Sequence, residues 1–275
     1  MKHQCANIIM LDYTKVIREV ETWAREVGKM QKEHLGKDMA VDTKSSKVDL
    51  VTDLDRWSEA YLMQAIHERY PGHAILSEEY GKHDVASDYL WIIDPLDGTT
   101  NYAQGLHIFA VSIALQYQSK TMLGVIYGSV LDQMFGAVRG LGAHLNGKSL
   151  RVSDKTNLRE CVLATGFPYD RAENPDNNVN YFSRITPQVR GIRRMGSAAY
   201  DLANVSAGLL DGYWELNLSP WDVAAGILIL EEAGGKVVYL PEKRGISLVA
   251  GNEDICQKIL DEIRAVDSIG AWLEY

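Results

Sequence analysis

The sequence predicts a mixed α/β protein, and three observations carry that expectation. Short apolar runs follow one another closely between Leu90 and Leu145, as in an antiparallel meander. From Cys161 onward, strand-like runs alternate with helical stretches, as in an α/β half. Between them the chain turns polar around Leu150 to Asn157, which divides an N-terminal α+β half, residues 1–155, from a C-terminal α/β half, residues 156–275. With 275 residues and 46% hydrophobic content, the chain can bury a large core in one domain or two intimate ones.

The elements follow in order. Residues 12–35 read as an amphipathic helix with Val16, Val20, Trp23, Val27 and Met30 on one face. Residues 36–48 are rich in Gly, Lys and Ser and read as a loop or loose hairpin. Thr52 and Asp55 have the spacing of a capping box for a second helix, with Leu54, Trp57, Tyr61 and Ala65 on one face. Asp49, Asp53 and Asp55 cluster at its start, either complementing the helix dipole or holding water for a cation. Pro71-Gly72 breaks the chain before a strand, His73 to Ser77, that ends in Glu78-Glu79. Adjacent acids on a strand end point opposite ways, so at most one faces a given site.

Leu90 to Ile93 is a short buried strand, followed by strands at Phe109–Tyr117, Met122–Val130 and Phe135–Val138. Gly140 and Gly142 mark a turn before Ala143–Leu145. In the second half, Cys161–Thr165 is a strand, residues 168–178 a loop, and a helix runs to about Gln188. Arg190 to Arg194 is basic and reads as a solvated edge in preference to a phosphate contact. Gly196-Ser197-Ala198-Ala199 starts a helix whose small residues allow close approach of a ligand. Asp211–Leu216 is a strand, and Pro220-Trp221-Asp222 opens a helix through Ala233 that Gly234-Gly235 ends. Strands at Lys236–Leu240 and Ser247–Ala250 precede a last helix carrying Ile255, Ile259 and Ile263.

The balance of 28 Lys plus Arg against 37 Asp plus Glu gives a net charge of −9, which argues against nucleic acid as the main partner. It leaves an anionic substrate open, because bound cations reverse a local field. Cys5, Cys161 and Cys256 are odd in number and not at metal-ligand spacing, so reduced thiols in a cytoplasmic protein are expected. No run reaches membrane-spanning length.

The stretch from Trp91 to Asn101 concentrates the chemistry. Asp94 stands at a strand end, Pro95-Leu96-Asp97-Gly98 turns, and Thr99 and Thr100 start a helix. Acids beside free helix N–H groups collect both a hard cation and an anion, so a phosphate with Mg²⁺ would fit. A plain turn capped by Asp97 is the alternative.

Three separated segments settle that choice. They are Glu78-Glu79, Asp94-Pro95-Leu96-Asp97-Gly98-Thr99-Thr100-Asn101, and Trp221-Asp222-Val223-Ala224-Ala225-Gly226 followed by Glu231, Ala233, Gly234 and Gly235. Together, over about residues 12–265, they resemble the inositol monophosphatase family of Mg²⁺-dependent, lithium-sensitive phosphatases. Lys44-Ser45-Ser46 and Val48 to Thr52 resemble that family's mobile catalytic loop, with Lys47 where proline is frequent.

The resemblance implies a five-layer α/β/α/β/α sandwich of the inositol monophosphatase and fructose-1,6-bisphosphatase type, and a homodimer. It implies two or three Mg²⁺ ions held by Glu78, Asp94, the Leu96 carbonyl, Asp97 and Asp222, with Asp49 and Lys44 at a weaker third region. The ligand set has no His or Cys, against zinc. Glu78 and Thr99 would hold the attacking water, Glu79 would point away in support, and the phosphate would rest near Gly98 and Thr99. Asp97, Gly196, Ala198, Glu215 and Asp222 would contact the substrate, Glu215 accepting two hydroxyls of a polyol. Gly98-Thr99-Thr100-Asn101, where phosphatases of 3′-phosphoadenosine nucleotides commonly have Gly-Thr-Lys, favours a small inositol or polyol phosphate. Fructose 1,6-bisphosphate, NADP or histidinol phosphate are alternatives, as is an added binding role with the transcription machinery.

Overall fold

A computed structural model describes residues 11–37, 41–43, 50–83, 85–241 and 244–269. The first half runs α1 (Tyr13–His34), β1 (Val41–Thr43), β2 (Leu50–Thr52), α2 (Asp53–Arg69), β3 (Ala74–Ser77), β4 (Gly81–His83), β5 (Tyr89–Asp97), α3 (Thr99–Ala103), β6 (Ala110–Tyr117), β7 (Lys120–Gly128), β8 (Gln133–Val138), β9 (Ala143–Leu145) and β10 (Lys148–Ser149). The second runs β11 (Val162–Thr165), α4 (Val179–Ile185), β12 (Gly191–Arg193), α5 (Ala198–Ser206), β13 (Gly212–Leu218), α6 (Pro220–Glu232), β14 (Lys236–Tyr239), β15 (Ile246–Gly251) and α7 (Glu253–Ile269). An eight-stranded sheet has the order β10-β9-β8-β7-β6-β5-β3-β4, and a five-stranded sheet the order β12-β11-β13-β15-β14. The expected meander is the antiparallel run from β5 to β10.

Strand alternation produces the layers. Trp91 and Ile93 of β5 join Val111, Ile113 and Leu115 of β6 beneath Val16, Val20 and Val27 of α1 and Leu62 and Ile66 of α2. Ile92, Ala110 and Ala114 face the other way, onto Ala199 and Ala203 of α5 and Ala225, Leu228 and Ile229 of α6. The opposite sides of α5 and α6 place Leu202, Val205, Val223 and Leu230 on Ala164, Tyr213, Leu248 and Ala250 of the second sheet. Leu163, Trp214 and Val249 on that sheet's far face meet Tyr181 and Ile185 of α4 and Ile255 and Ile259 of α7. The result is the five-layer α/β/α/β/α sandwich. The middle layer sits close to the first sheet because Gly124 has no side chain: a Cβ there would lie 2.9 Å from the Ala225 backbone.

Several details differ from the sequence reading. The hairpin strand β4 follows directly on the Glu78-Glu79 turn and was not expected. On α2 the buried face is Leu54, Asp55, Ser58, Glu59, Leu62 and Ile66. Trp57 is exposed and stacks on Tyr61 at the surface. Apolar spacing misplaced this face by one position because its acids, Asp55 and Glu59, are turned inward. Among the described residues no helix is long and apolar enough to cross a membrane. Cys161 and Cys256 are buried free thiols.

His73 is stacked on Tyr70 and Tyr89, with ring centroids 5.0 and 4.4 Å away, and its Nδ1 accepts from Trp91 Nε1 at 3.0 Å. Burial pushes its pKa down to about 4. The unfolded chain therefore takes up this proton near the ordinary value of 6.5, and the folded chain only near 4. Its share of stability is complete above pH 6.5 and is lost as the pH falls from there toward 4. Melting temperatures of wild type and His73→Gln, whose amide can still accept from Trp91, should converge in this interval; parallel curves would contradict the assignment.

Candidate active site

The site begins at an irregularity in β5. Asp94 pairs with Ser112 and Asp97 with Ala110, so β5 spends one more residue than β6 over this interval. Without it, Asp94 and Asp97 would point to opposite faces. The extra residue lets Leu96 turn outward onto Leu54, Tyr102 and Phe109 and returns Asp97 to the inner side. The Asp94 carboxylate accepts from Leu96 N–H at 3.0 Å, and Gln31 of α1 donates its side-chain amide to the Pro95 carbonyl at 2.7 Å. Gly98 closes the turn at φ +98°, and a Cβ there would lie 3.1 Å from the carbonyls of Gly196 and Ile108. Both the left-handed backbone angle and the tight space favour glycine here.

Asp97 reaches across to the second half. Its carboxylate accepts from Ser197 Oγ at 2.6 Å, Ala199 N–H at 2.7 Å and Ala198 N–H at 3.2 Å, capping α5 from a different sheet. Ala198, expected to contact the substrate, gives its N–H to Asp97 and also lines the adjoining cleft. At the start of α6, Asp222 accepts from Ser219 N–H at 2.7 Å after a first-turn proline, Pro220. One oxygen each from Asp94, Asp97 and Asp222 lie within 4.8 Å of one another.

Glu78 lies beside them. Burial first, then the charges of Glu78, Asp97 and Asp222, hold the Asp94 carboxyl well above the usual carboxylate range. Burial and then Asp97 do the same for Asp222. Asp97 is pushed up by burial and held back by its bonds to the start of α5. Buried acids crowded in this way favour either a proton or a cation. Hard carboxylate oxygens around one point are suited to Mg²⁺-type ions. The turn carrying Glu78 is fastened from below, where the N–H groups of Glu79 and Tyr80 both donate to buried Glu59 at 3.2 Å.

Thr99 is buried, and its hydroxyl has Asp55 Oδ1 at 3.0 Å and the Leu96 carbonyl at 3.1 Å as acceptors. Asp55 stands in the first turn of α2, as a helix-dipole partner would, and is in addition a buried acceptor behind Thr99. Lys44 and Asp49 lie outside the described residues. Asp97 and Asp222 open onto a cleft of about 500 Å³ that Gly98, Gly196, Ala198 and Glu215 also line.

Residues that sequence reasoning missed stand in this cleft. Arg194, exposed as expected like Arg190 and Arg193, also lines it. It is the one Lys or Arg among the described lining residues, against six carboxylates. Its charge holds back the rise of both Glu215 and Asp201. Burial pushes Glu215 up to about 7, opposed by the Tyr213 hydroxyl that donates to it at 2.6 Å. Asp201, 1% exposed, has no hydrogen-bond partner at Oδ1. No sequence signal singled it out, because its position on α5 reads as an ordinary helix acid.

Burial, and then the charges of Glu215 and Asp97, push Asp201 well above the usual carboxylate range. A carboxyl raised in the folded state gives stability at low pH that is lost as pH rises through the folded value. Asp201→Asn, melted without added metal, should match wild type near pH 4 and be more stable by about 1–3 kcal/mol at pH 8. Equal stability at pH 8 would mean that the buried carboxylate carries no such cost.

A family model described as the inositol monophosphatase family matches residues 12–267. An inositol-1-monophosphatase of Synechocystis sp. is 46% identical over 203 residues, covering 74% of this chain and 71% of that relative. A protein named Nus factor SuhB, of Pseudomonas aeruginosa, is 46% identical over 235 residues, 82% of this chain and 86% of its own length. The structure of inositol monophosphatase from Anabaena superposes with a TM-score of 0.83 at 40% identity, covering 93% of this chain and 97% of that one.

Proposed function

Because the chain belongs to the inositol monophosphatase family, we propose that it is a Mg²⁺-dependent phosphomonoesterase for myo-inositol monophosphates and related small polyol phosphates. The convergence of Asp94, Asp97 and Asp222, drawn from two separate sheets' surroundings onto one point, carries this reading. The donor set fits the ion: carboxylates with no thiol or imidazole among them, two of the three buried, all pushed up by desolvation and, at Asp94 and Asp222, by neighbouring acids as well. Glu78, Asp94, the Leu96 carbonyl, Asp97 and Asp222 would hold two ions, with Asp49 toward a third. When bound, Mg²⁺ stabilises charge on the phosphate oxygens and lowers the pKa of the attacking water.

The chain's own residues do the remainder. The Thr99 hydroxyl, its proton directed to Asp55 or Leu96, keeps lone pairs with which to accept from the water. Glu78, at the turn held by Glu59, takes the other side of that water and receives its proton. N–H groups at the Gly98–Thr99 turn face the phosphate. Glu215, seated in the cleft wall, accepts from hydroxyls of the leaving alcohol. Water excluded by the buried floor strengthens each of these interactions. The cytoplasm and a homodimer remain the proposed setting.

A second reading is supported by the relatives named Nus factor SuhB: an added binding role beside the transcription machinery. The carboxylate cluster argues that such a role would accompany hydrolysis and not replace it. A Glu78→Gln chain should lose turnover and keep any such association.

Phosphate release at fixed Mg²⁺ separates the substrates. Myo-inositol 1-phosphate should exceed fructose 1,6-bisphosphate, NADP and histidinol phosphate in kcat/KM, and chelation should abolish turnover. Asp94→Asn should lower kcat/KM by roughly 10²-fold or more. Full activity in chelator, or an unimpaired Asp94→Asn, would refute the metal-dependent reading. Glu215→Gln should raise KM for the inositol ester; an unchanged KM would refute the polyol assignment.

A further inference from the structure

Glu215 occupies a place that a neighbouring residue leaves open. Gly166 follows the last residue of β11, and the parallel pairing of Thr165 with Trp214 brings it alongside Glu215. A Cβ at Gly166 would lie 2.0 Å from Oε1, 2.1 Å from Oε2 and 2.2 Å from Cδ of Glu215. Those are its three nearest atoms, and all belong to one carboxyl group. The backbone at Gly166 lies outside the left-handed region, so conformation does not require a glycine here. The requirement is space for the carboxylate.

The segment is also fastened. Asn178, 3% exposed, donates its amide to Thr165 Oγ1 at 2.8 Å and to the Gly166 carbonyl at 2.6 Å. Its carbonyl accepts from Trp214 Nε1 at 2.7 Å. Asn178 therefore ties Gly166 on β11's end to the residue before Glu215 on β13. The Tyr213 hydroxyl donates to Glu215 Oε2 at 2.6 Å. The carboxylate has this donor and the bare Cα of Gly166 as neighbours, and a shift imposed by a Cβ at Gly166 disturbs the Tyr213 bond.

The geometry points to Gly166, locked by Asn178, as a specificity-determining residue that seats the Glu215 carboxylate for the hydroxyls of a leaving polyol. It acts through Glu215 and is a positioning residue. The inference rests on the polyol-phosphate reading for its functional consequence, and on the contact itself for its physical content. A methyl group at 166 displaces the carboxylate, so polyol recognition weakens while the carboxylate cluster that serves the phosphate stays in place.

A double-mutant cycle tests this with the full chain and Mg²⁺, using myo-inositol 1-phosphate and, as an ester without a polyol, p-nitrophenyl phosphate. Gly166→Ala should lower the ratio of kcat/KM for the inositol ester to that for the nitrophenyl ester at least tenfold, mainly through KM. In a Glu215→Ala background, where no carboxylate is left to displace, Gly166→Ala should change that ratio less than twofold. A ratio within twofold of wild type for Gly166→Ala alone, or a loss that adds in full to Glu215→Ala, would overturn the proposal. Melting temperatures of the same four proteins read the contact without substrate: Gly166→Ala should lower that of wild type and not that of Glu215→Ala. If Gly166→Ala alone fails to fold, recovery in the double variant supports the contact and continued failure overturns it. A wild type that hydrolyses only the nitrophenyl ester would defeat the polyol reading, while the melting cycle still decides the contact.

Discussion

The bond between Asp97 and the start of α5 is the constraint on which the site depends. One carboxylate at the end of a strand in the first sheet satisfies the hydroxyl of Ser197 and two otherwise unpartnered N–H groups of a helix 100 residues later. A negative charge at a helix N-terminus is favourable, and bonds to a charged acceptor are stronger than neutral ones. The same contact brings α5 and α6 over the inner face of β5, so that Asp222 arrives beside Asp94. Ser112 Oγ donating to the Trp221 carbonyl at 3.2 Å adds a second tie at this level. Fold and site are thus joined by the same few atoms.

The electrostatic price of that arrangement is visible in the buried and half-buried acids around the cleft. Asp94, Asp201, Asp222 and Glu215 are all pushed up, burial being the first cause in each case. Some of the strain is met locally, by Tyr213 at Glu215 and by Arg194 at the cleft wall. The convergence of Asp94, Asp97 and Asp222 has no cation of its own chain among the described cleft residues except Arg194. Carboxylates crowded in this way are stabilised by a positive charge brought among them.

Much of this was legible in the sequence. The apolar runs fixed the strands of the meander, and the order Glu78, Asp94, Asp97, Asp222 identified the family before any coordinates. What could not be read was orientation. No period reveals that one extra residue in β5 returns Asp97 to the face of Asp94. Asp55 and Glu59 look like ordinary acids of an exposed helix face, yet they are buried beneath Thr99 and the Glu78 turn. Arg194 belongs to a basic run whose arginines are all exposed, and nothing in that run tells that this one borders the cleft. Periodicity reports which residues are apolar; it is silent on polar residues buried for a partner far away in the chain.

The middle layer has a further meaning for how the protein is made. Helices α5 and α6 bury both their faces, one on each sheet. During synthesis the first sheet is complete by about Ser149, whereas its inner cover ends only at Glu232. For the time the ribosome needs to extend the chain between these points, the alanine-rich surface of Ala110, Ala114 and Ala137 has nothing to pack against. A nascent chain in that condition is a natural client for chaperones that shield apolar sheets.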